Sequence, residues 1–93
     1  YHAHEPPGCV LGYDDAGKTR GNALKTVISV AEFDQDARAV IGALLAHPAC
    51  NGRVGAVGIC LGGHLAFRAA LLPEVRATAC FYPTDIHSGT LGM

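Results

Sequence analysis

The sequence predicts an α/β fold built on a parallel sheet, and three observations carry that expectation. An apolar run, Val54-Gly55-Ala56-Val57, enters the glycine-rich pattern Gly58-Ile59-Cys60-Leu61-Gly62-Gly63 and emerges as a helix-like stretch from His64 to Leu72. A second strand pattern follows from Val75 to Tyr82, so strand, helix and strand succeed one another over about 30 residues, the length of a right-handed βαβ unit. A long amphipathic segment from Ala31 to His47 precedes them and is suited to cover a sheet.

Taken in order, residues 1–30 read as loop-rich. Pro6-Pro7-Gly8 and Tyr13-Asp14-Asp15-Ala16-Gly17 are turn clusters up to Asn22, and Asn22 to Val30 shows no clean apolar period, which leaves a turn or a short helical piece. A long irregular segment of this kind commonly forms a lid or a binding loop. His2, His4, Glu5 and Cys9 fall within it, but no second ligand group stands at metal-site spacing, so no metal is expected.

The Ala31–His47 segment is the clearest helix. Phe33, Ala37, Val40, Ile41, Leu44 and Leu45 recur at helical spacing on one face, acids gather near the start where the helix dipole favours them, and Pro48 ends it. Its acids read as a solvated face. Cys50-Asn51-Gly52-Arg53 is a turn, and the near-continuous apolar run that follows is that of a parallel strand buried on both faces.

The turn after that strand carries the chemistry. Gly-x-Cys-x-Gly between strand and helix is the nucleophile-elbow pattern G-x-S-x-G with sulfur in place of oxygen. The apex is held in a strained conformation, and side chains two positions to either side would collide as the chain doubles back, so Gly58 and Gly62 are expected to be required, with Gly63 beside them. The Leu61 N–H, first in the new helix, points where an oxyanion would form, and the positive helix end favours a thiolate at Cys60. Two blander readings compete: an inert turn around a buried cysteine, and a phosphate cradle. The spacing is neither G-x-G-x-x-G nor a P-loop, and the flanking strand and helix are the setting that an elbow requires.

Composition narrows the rest. Ninety-three residues suffice for one small domain, and a formal net charge of −1 with no basic stripe gives no footprint for nucleic acid or an anionic membrane. No apolar run reaches the roughly 18 residues of a membrane span, and no signal-peptide pattern is present. Cys9, Cys50, Cys60 and Cys80 include no C-x-x-C and are expected as reduced thiols in a cytoplasmic protein. The chain opens on Tyr1 and its only methionine is Met93, which is expected of a piece of a longer protein.

With these residues in view, the chain resembles the dienelactone hydrolases of the α/β-hydrolase superfamily. The resemblance runs through Tyr1 to Tyr13 with its Pro-Pro-Gly, Phe33-Asp34-x-Asp36-Ala37-Arg38, Gly52-Arg53-Val54-Gly55, Gly58 to Arg68, and Phe81-Tyr82; the cysteine elbow followed by Gly-Gly is its specific part. It implies that residues 1–93 are the central part of one hydrolase domain, with helix, strand, elbow, helix and strand over 31–93. It implies hydrolysis of a small ester or lactone through an acyl-cysteine intermediate, with no cofactor. Cys60 corresponds to the nucleophile and the Leu61 N–H to one oxyanion donor. The family's base histidine and orienting aspartate follow strands later than those here, and its second oxyanion donor and a glutamate that contacts the cysteine lie upstream of Tyr1. An arginine that grips the substrate carboxylate in the best-known members falls near His4, so this chain departs from the family at that contact, and His4 is a candidate for a substrate-side or supporting residue.

Two further residues are candidates from position alone. His64, four residues after Cys60, lies on the first turn of the helix that runs beneath the thiol, and so reads as a supporting residue rather than the base. Asp85 ends the segment after the second strand, where function is expected in such sheets; a turn residue is the plainer reading beside that of a catalytic acid. The rival enzyme is a class I glutamine amidotransferase, whose elbow also reads Gly-Ile-Cys-Leu-Gly but carries glutamine where this chain has His64. The rival of another class is a non-catalytic fragment that keeps the elbow as architecture. A full hydrolase domain needs at least about 200 residues, so this chain alone is expected to depend on the missing parts of its domain or to self-associate.

Overall fold

The computed structural model describes residues 2–89. Three helices and two strands follow in the order α1 (Asp15–Val27), α2 (Val30–Ala46), β1 (Val54–Ile59), α3 (Leu61–Ala69) and β2 (Val75–Phe81). The α/β expectation holds. The strands pair in parallel, with Gly58 opposite Cys80 and Ile59 opposite Phe81, and α3 forms the crossover between them. The elements from α2 onward start and end within a few residues of their sequence-based bounds.

Residues 1–30 are not loop-rich as expected, because α1 occupies much of them. The cluster around Asp14 that reads as a turn is a helix cap: the Asp14 carboxylate accepts a hydrogen bond from the Gly17 N–H at 2.8 Å. Asp15 in the first turn and Lys25 in the last both suit the helix dipole. Apolar periodicity is faint because the helix buries a single side chain, Leu24, at 1 % exposure. Ser29 caps α2 in the same way, accepting from the Glu32 N–H.

β1 is not covered on both faces. Its burial alternates, with Val54 buried and Ala56 and Gly58 half-buried on the side of the helices, while Val57 and Ile59 are 71 % and 66 % exposed. Their register partners Ala79 and Phe81 are exposed as well, so the sheet has one covered face and one bare apolar face. An unbroken apolar run fits a strand flanked by layers on both sides, and among the described residues only one layer is present.

α3 packs across both strands, and α2 lies against α3 and β1. A two-point ion pair fastens the helices: Arg68 Nε donates to Asp34 Oδ1 at 3.1 Å and its terminal nitrogen to Asp34 Oδ2 at 2.7 Å. The pair raises the Arg68 pKa above its ordinary value, chiefly through the hydrogen bond to Asp34. Among the described residues no helix is long and apolar enough to cross a membrane.

Candidate active site

Everything at the β1–α3 junction turns on one residue. Cys60 has φ +59° and ψ −120°, a backbone region that residues with a side chain rarely enter and that costs about 1–3 kcal/mol to hold. Three backbone hydrogen bonds maintain it. The Cys60 N–H donates to the Phe81 carbonyl at 2.8 Å, and the Cys60 carbonyl accepts from the N–H groups of His64 at 3.2 Å and Thr84 at 3.3 Å. The first continues the sheet ladder, the second starts the helix, and the third clips the elbow to the segment after β2. Cys60 itself is exposed, and all four cysteines are free thiols.

The glycines divide the steric work differently from the sequence-based expectation. A β-carbon on Gly58 would lie 1.9 Å from the Gly62 carbonyl oxygen, so no larger residue fits without moving the backbone. One on Gly63 would approach the Phe81 carbonyl oxygen to 3.0 Å and the Pro83 Cα to 3.2 Å. Gly62 is not required by crowding at its own β-position: a β-carbon there meets nothing within 4 Å. Its closeness to Gly58 is through its carbonyl, and its bare Cα opens onto a cleft instead. Leu61 opens α3, so its N–H belongs to the first-turn donors that have no intrahelical acceptor.

The cleft, of about 270 Å³, lies beside Leu61 and Gly62. Residues from the first loop, including His2 and His4, and the first turns of α2, including Phe33, form its other walls. His4 therefore lines the same cleft as Leu61 and Gly62 of the elbow, which Cys60 itself does not line. His2 is held there by a hydrogen bond between its Nε2 and Asp36 Oδ2 at 2.6 Å. The role of this loop as a cleft wall was legible only in its polarity.

His64 and Asp85 do not line that cleft. The His64 side chain is buried, at 7 % exposure, and its Nδ1 has no hydrogen-bond partner. Asp85 has φ +60°, accepts from the Gly89 N–H and the Ser88 hydroxyl through its backbone carbonyl, and pairs its carboxylate with Lys25 Nζ at 2.5 Å. The hydrogen bond from Lys25 holds the Asp85 carboxyl below the usual carboxylate range, and the nearby charge of Lys25 and of His64 and His87 adds to it. Asp85 is thus a turn residue tied to α1, a contact that was hidden because α1 itself was not foreseen. Among the described residues no three His, Cys, Asp or Glu side chains gather as a metal site.

Comparison with known proteins bears on the same residues. The model of the dienelactone hydrolase family matches residues 12–91. Two proteins carrying the name "Putative carboxymethylenebutenolidase" are similar to the chain. The one from Saccharomyces cerevisiae is 44 % identical over 94 residues, covering 100 % of this chain and 34 % of that protein. The one from Synechocystis sp. is 36 % identical over 86 residues, covering 91 % of this chain and 35 % of that protein. The chain therefore spans about a third of the length of these relatives. No solved structure matches it significantly. The family match includes the whole elbow from Gly58 to Gly63 and decides against the amidotransferase reading of Gly-Ile-Cys-Leu-Gly. A parallel strand pair, a strained cysteine between strand and helix, and a family model that spans them agree: the chain belongs to the dienelactone hydrolase family.

Proposed function

We propose that this chain is the central part of a carboxylic ester or lactone hydrolase, with Cys60 as its nucleophile. The observation that carries the reading is the Cys60 backbone at φ +59° and ψ −120°, exposed at the head of α3. Strain of this kind persists where surrounding structure enforces it, and it clusters at functional sites.

The chemistry follows in two steps. The Cys60 thiolate attacks the carbonyl carbon, and negative charge moves to the carbonyl oxygen, where the Leu61 N–H and the positive end of α3 stabilise it. Collapse breaks the C–O bond, the departing alkoxide takes the proton that the base removed from the thiol, and an acyl-thioester remains. Water then adds to the thioester and gives one proton to that base, the C–S bond breaks, and the carboxylic acid leaves with the thiolate restored. Gly58 and Gly63 allow the close turn, and His4 faces the substrate. A base to deprotonate the thiol and an acid to orient it come from parts of the protein outside this segment, so the isolated chain is expected to be nearly inactive. No cofactor enters the scheme. The setting is cytoplasmic, the partner is the small-molecule substrate, and neither nucleic acid nor membrane is bound.

The test uses the full-length protein that carries this segment. Iodoacetamide near neutral pH should label Cys60 well ahead of the other cysteines, and Cys60→Ala should abolish hydrolysis of p-nitrophenyl acetate. Cys9 and Cys80 are also exposed, so selectivity for Cys60 would report activation rather than access. Equal labelling of the four thiols, with turnover intact in Cys60→Ala, would overturn the proposal in favour of an elbow kept as architecture.

A further inference from the structure

The turn between α2 and β1 holds a reactive pair of its own, at the opposite end of β1 from the elbow. Asn51 is followed there by Gly52, both are exposed, and Gly52 has φ +79°. A β-carbon at Gly52 would meet nothing within 4 Å, so the space about this peptide bond is open, and the positive φ is one that glycine adopts freely. The Arg53 N–H donates to Asn51 Oδ1 at 3.0 Å, which folds the side-chain amide back over the main chain of its own turn. Among the described residues the Gly52 N–H makes no hydrogen bond. Asn51, Gly52 and Arg53 are consecutive, so the arrangement draws on no other part of the protein. The other asparagine of the chain, Asn22, lies inside α1 and precedes Ala23, whose N–H is committed to the helix ladder.

We propose that Asn51 is a self-modification site, converted through a cyclic imide to aspartate and isoaspartate, and that the folded turn promotes the conversion. Hydroxide takes the proton of the Gly52 amide, and the nitrogen attacks Asn51 Cγ to close a five-membered ring. Negative charge passes to Oδ1, where the Arg53 N–H stands as donor to the oxygen that must carry it. Collapse breaks the bond from Cγ to the side-chain nitrogen, which takes a proton from water and leaves as ammonia, restoring the hydroxide. Water then opens the imide. Cleavage at Cγ gives aspartate in the original main chain, and cleavage at the main-chain carbonyl gives isoaspartate, with the chain running through the former side chain. The balance is one water consumed and one ammonia released, with no oxidant, metal or second protein. Either product places a new carboxylate next to Arg53 at the head of β1, and the iso form also lengthens by one carbon the link from α2 to the strand that ends at the elbow. At Asn22 the same ring cannot close unless the helix unwinds, because the attacking nitrogen is held in the ladder.

The experiment incubates the full-length protein that carries this segment, folded and in mildly alkaline buffer, beside a synthetic peptide of residues 47–56. Proteolysis and mass spectrometry then follow conversion of amide to acid at each asparagine, and chromatography separates the aspartyl from the isoaspartyl product. Asn51 should convert to both products while Asn22 stays intact, the rate should rise with pH, and the folded protein should convert at least as fast as the peptide. Gly52→Ala should slow the conversion by on the order of tenfold, the population cost of holding a β-carbon at positive φ. Asn51→Gln should abolish it, because the longer side chain would have to close a six-membered ring; this variant keeps Gly52 and serves where Gly52→Ala folds poorly. An Asn51 that stays intact in the folded protein while the peptide converts would overturn the proposal, since the turn would then protect the amide. Conversion of Asn22 at the rate of Asn51, or aspartate formed with no isoaspartate, would overturn it as well, the second by showing direct hydrolysis in place of the imide.

Discussion

A β-carbon placed on Gly58 would stand 1.9 Å from the carbonyl oxygen of Gly62, whereas one placed on Gly62 would meet nothing within 4 Å. Two glycines in symmetrical positions about Cys60 are therefore not equivalent. Gly58→Ala should destabilise the fold by at least the roughly 1–3 kcal/mol typical of overpacking, because the obstacle is backbone and cannot swing aside. Gly62→Ala should cost far less. Thermal melting of the two variants side by side checks this; equal melting temperatures would contradict it.

The strain at Cys60 gives a second expectation, of opposite sign. Glycine adopts positive φ without steric penalty, so Cys60→Gly should raise stability by about 1 kcal/mol while removing the thiol. Cys60→Ala also removes the thiol but retains a β-carbon, and should not gain. Denaturant unfolding of the three proteins separates relief of backbone strain from loss of the sulfur.

Asp85 and Lys25 couple the turn after β2 to α1 through a 2.5 Å ion pair. Because the Lys25 hydrogen bond lowers the Asp85 pKa in the folded state, the contribution is present above the unfolded carboxyl value of about 3.9. It is lost as the pH falls through the lower folded value. Lys25→Met should return the Asp85 titration toward the ordinary range, as read by NMR of the side-chain carboxyl carbon, and should flatten the acid limb of the stability curve.

Arg68 grips Asp34 through two nitrogens, a geometry that an ammonium cannot copy. Both side chains are about two-thirds shielded, at 28 % and 34 % exposure, so the expected cost of Arg68→Lys is modest, about 0.5–1 kcal/mol after allowance for solvent screening. A double-mutant cycle with Asp34→Asn measures the coupling. A coupling indistinguishable from zero would show that α2 and α3 are held by packing alone.

The elements that read clearly in the sequence are those whose signal is local. Leu44, Ile41 and Phe33 repeat at helical spacing, and the glycines about Cys60 mark a strand-to-helix reversal without reference to anything distant. α1 escaped because it buries only Leu24, and its cap uses Asp14, a residue that marks turns and helix starts alike. The exposed face of β1 escaped for another reason: Val57 and Ile59 are apolar as if a second layer covered them, and apolarity states what a side chain prefers, not what surrounds it. Cys60 and Leu61 were legible as the turn between strand and helix, and His4 entered as a candidate only through family likeness. The cleft between His4 and Leu61 depends on α2 meeting the first loop, a tertiary relation with no periodic trace. The unequal demands on Gly58 and Gly62 were equally hidden, since the pattern around Cys60 is symmetrical and the packing is not.

One carbonyl oxygen, that of Cys60, accepts from His64 and from Thr84, so the elbow and the segment leaving β2 share a single hinge pin. That segment holds Tyr82 and Asp85, both at positive φ, and Asp85 is moored in turn to α1. A displacement of α1 would therefore reach the Cys60 backbone through the Lys25–Asp85 side-chain pair and the Thr84 hydrogen bond. The backbone that holds Cys60 is thereby joined to the helix farthest from it in sequence.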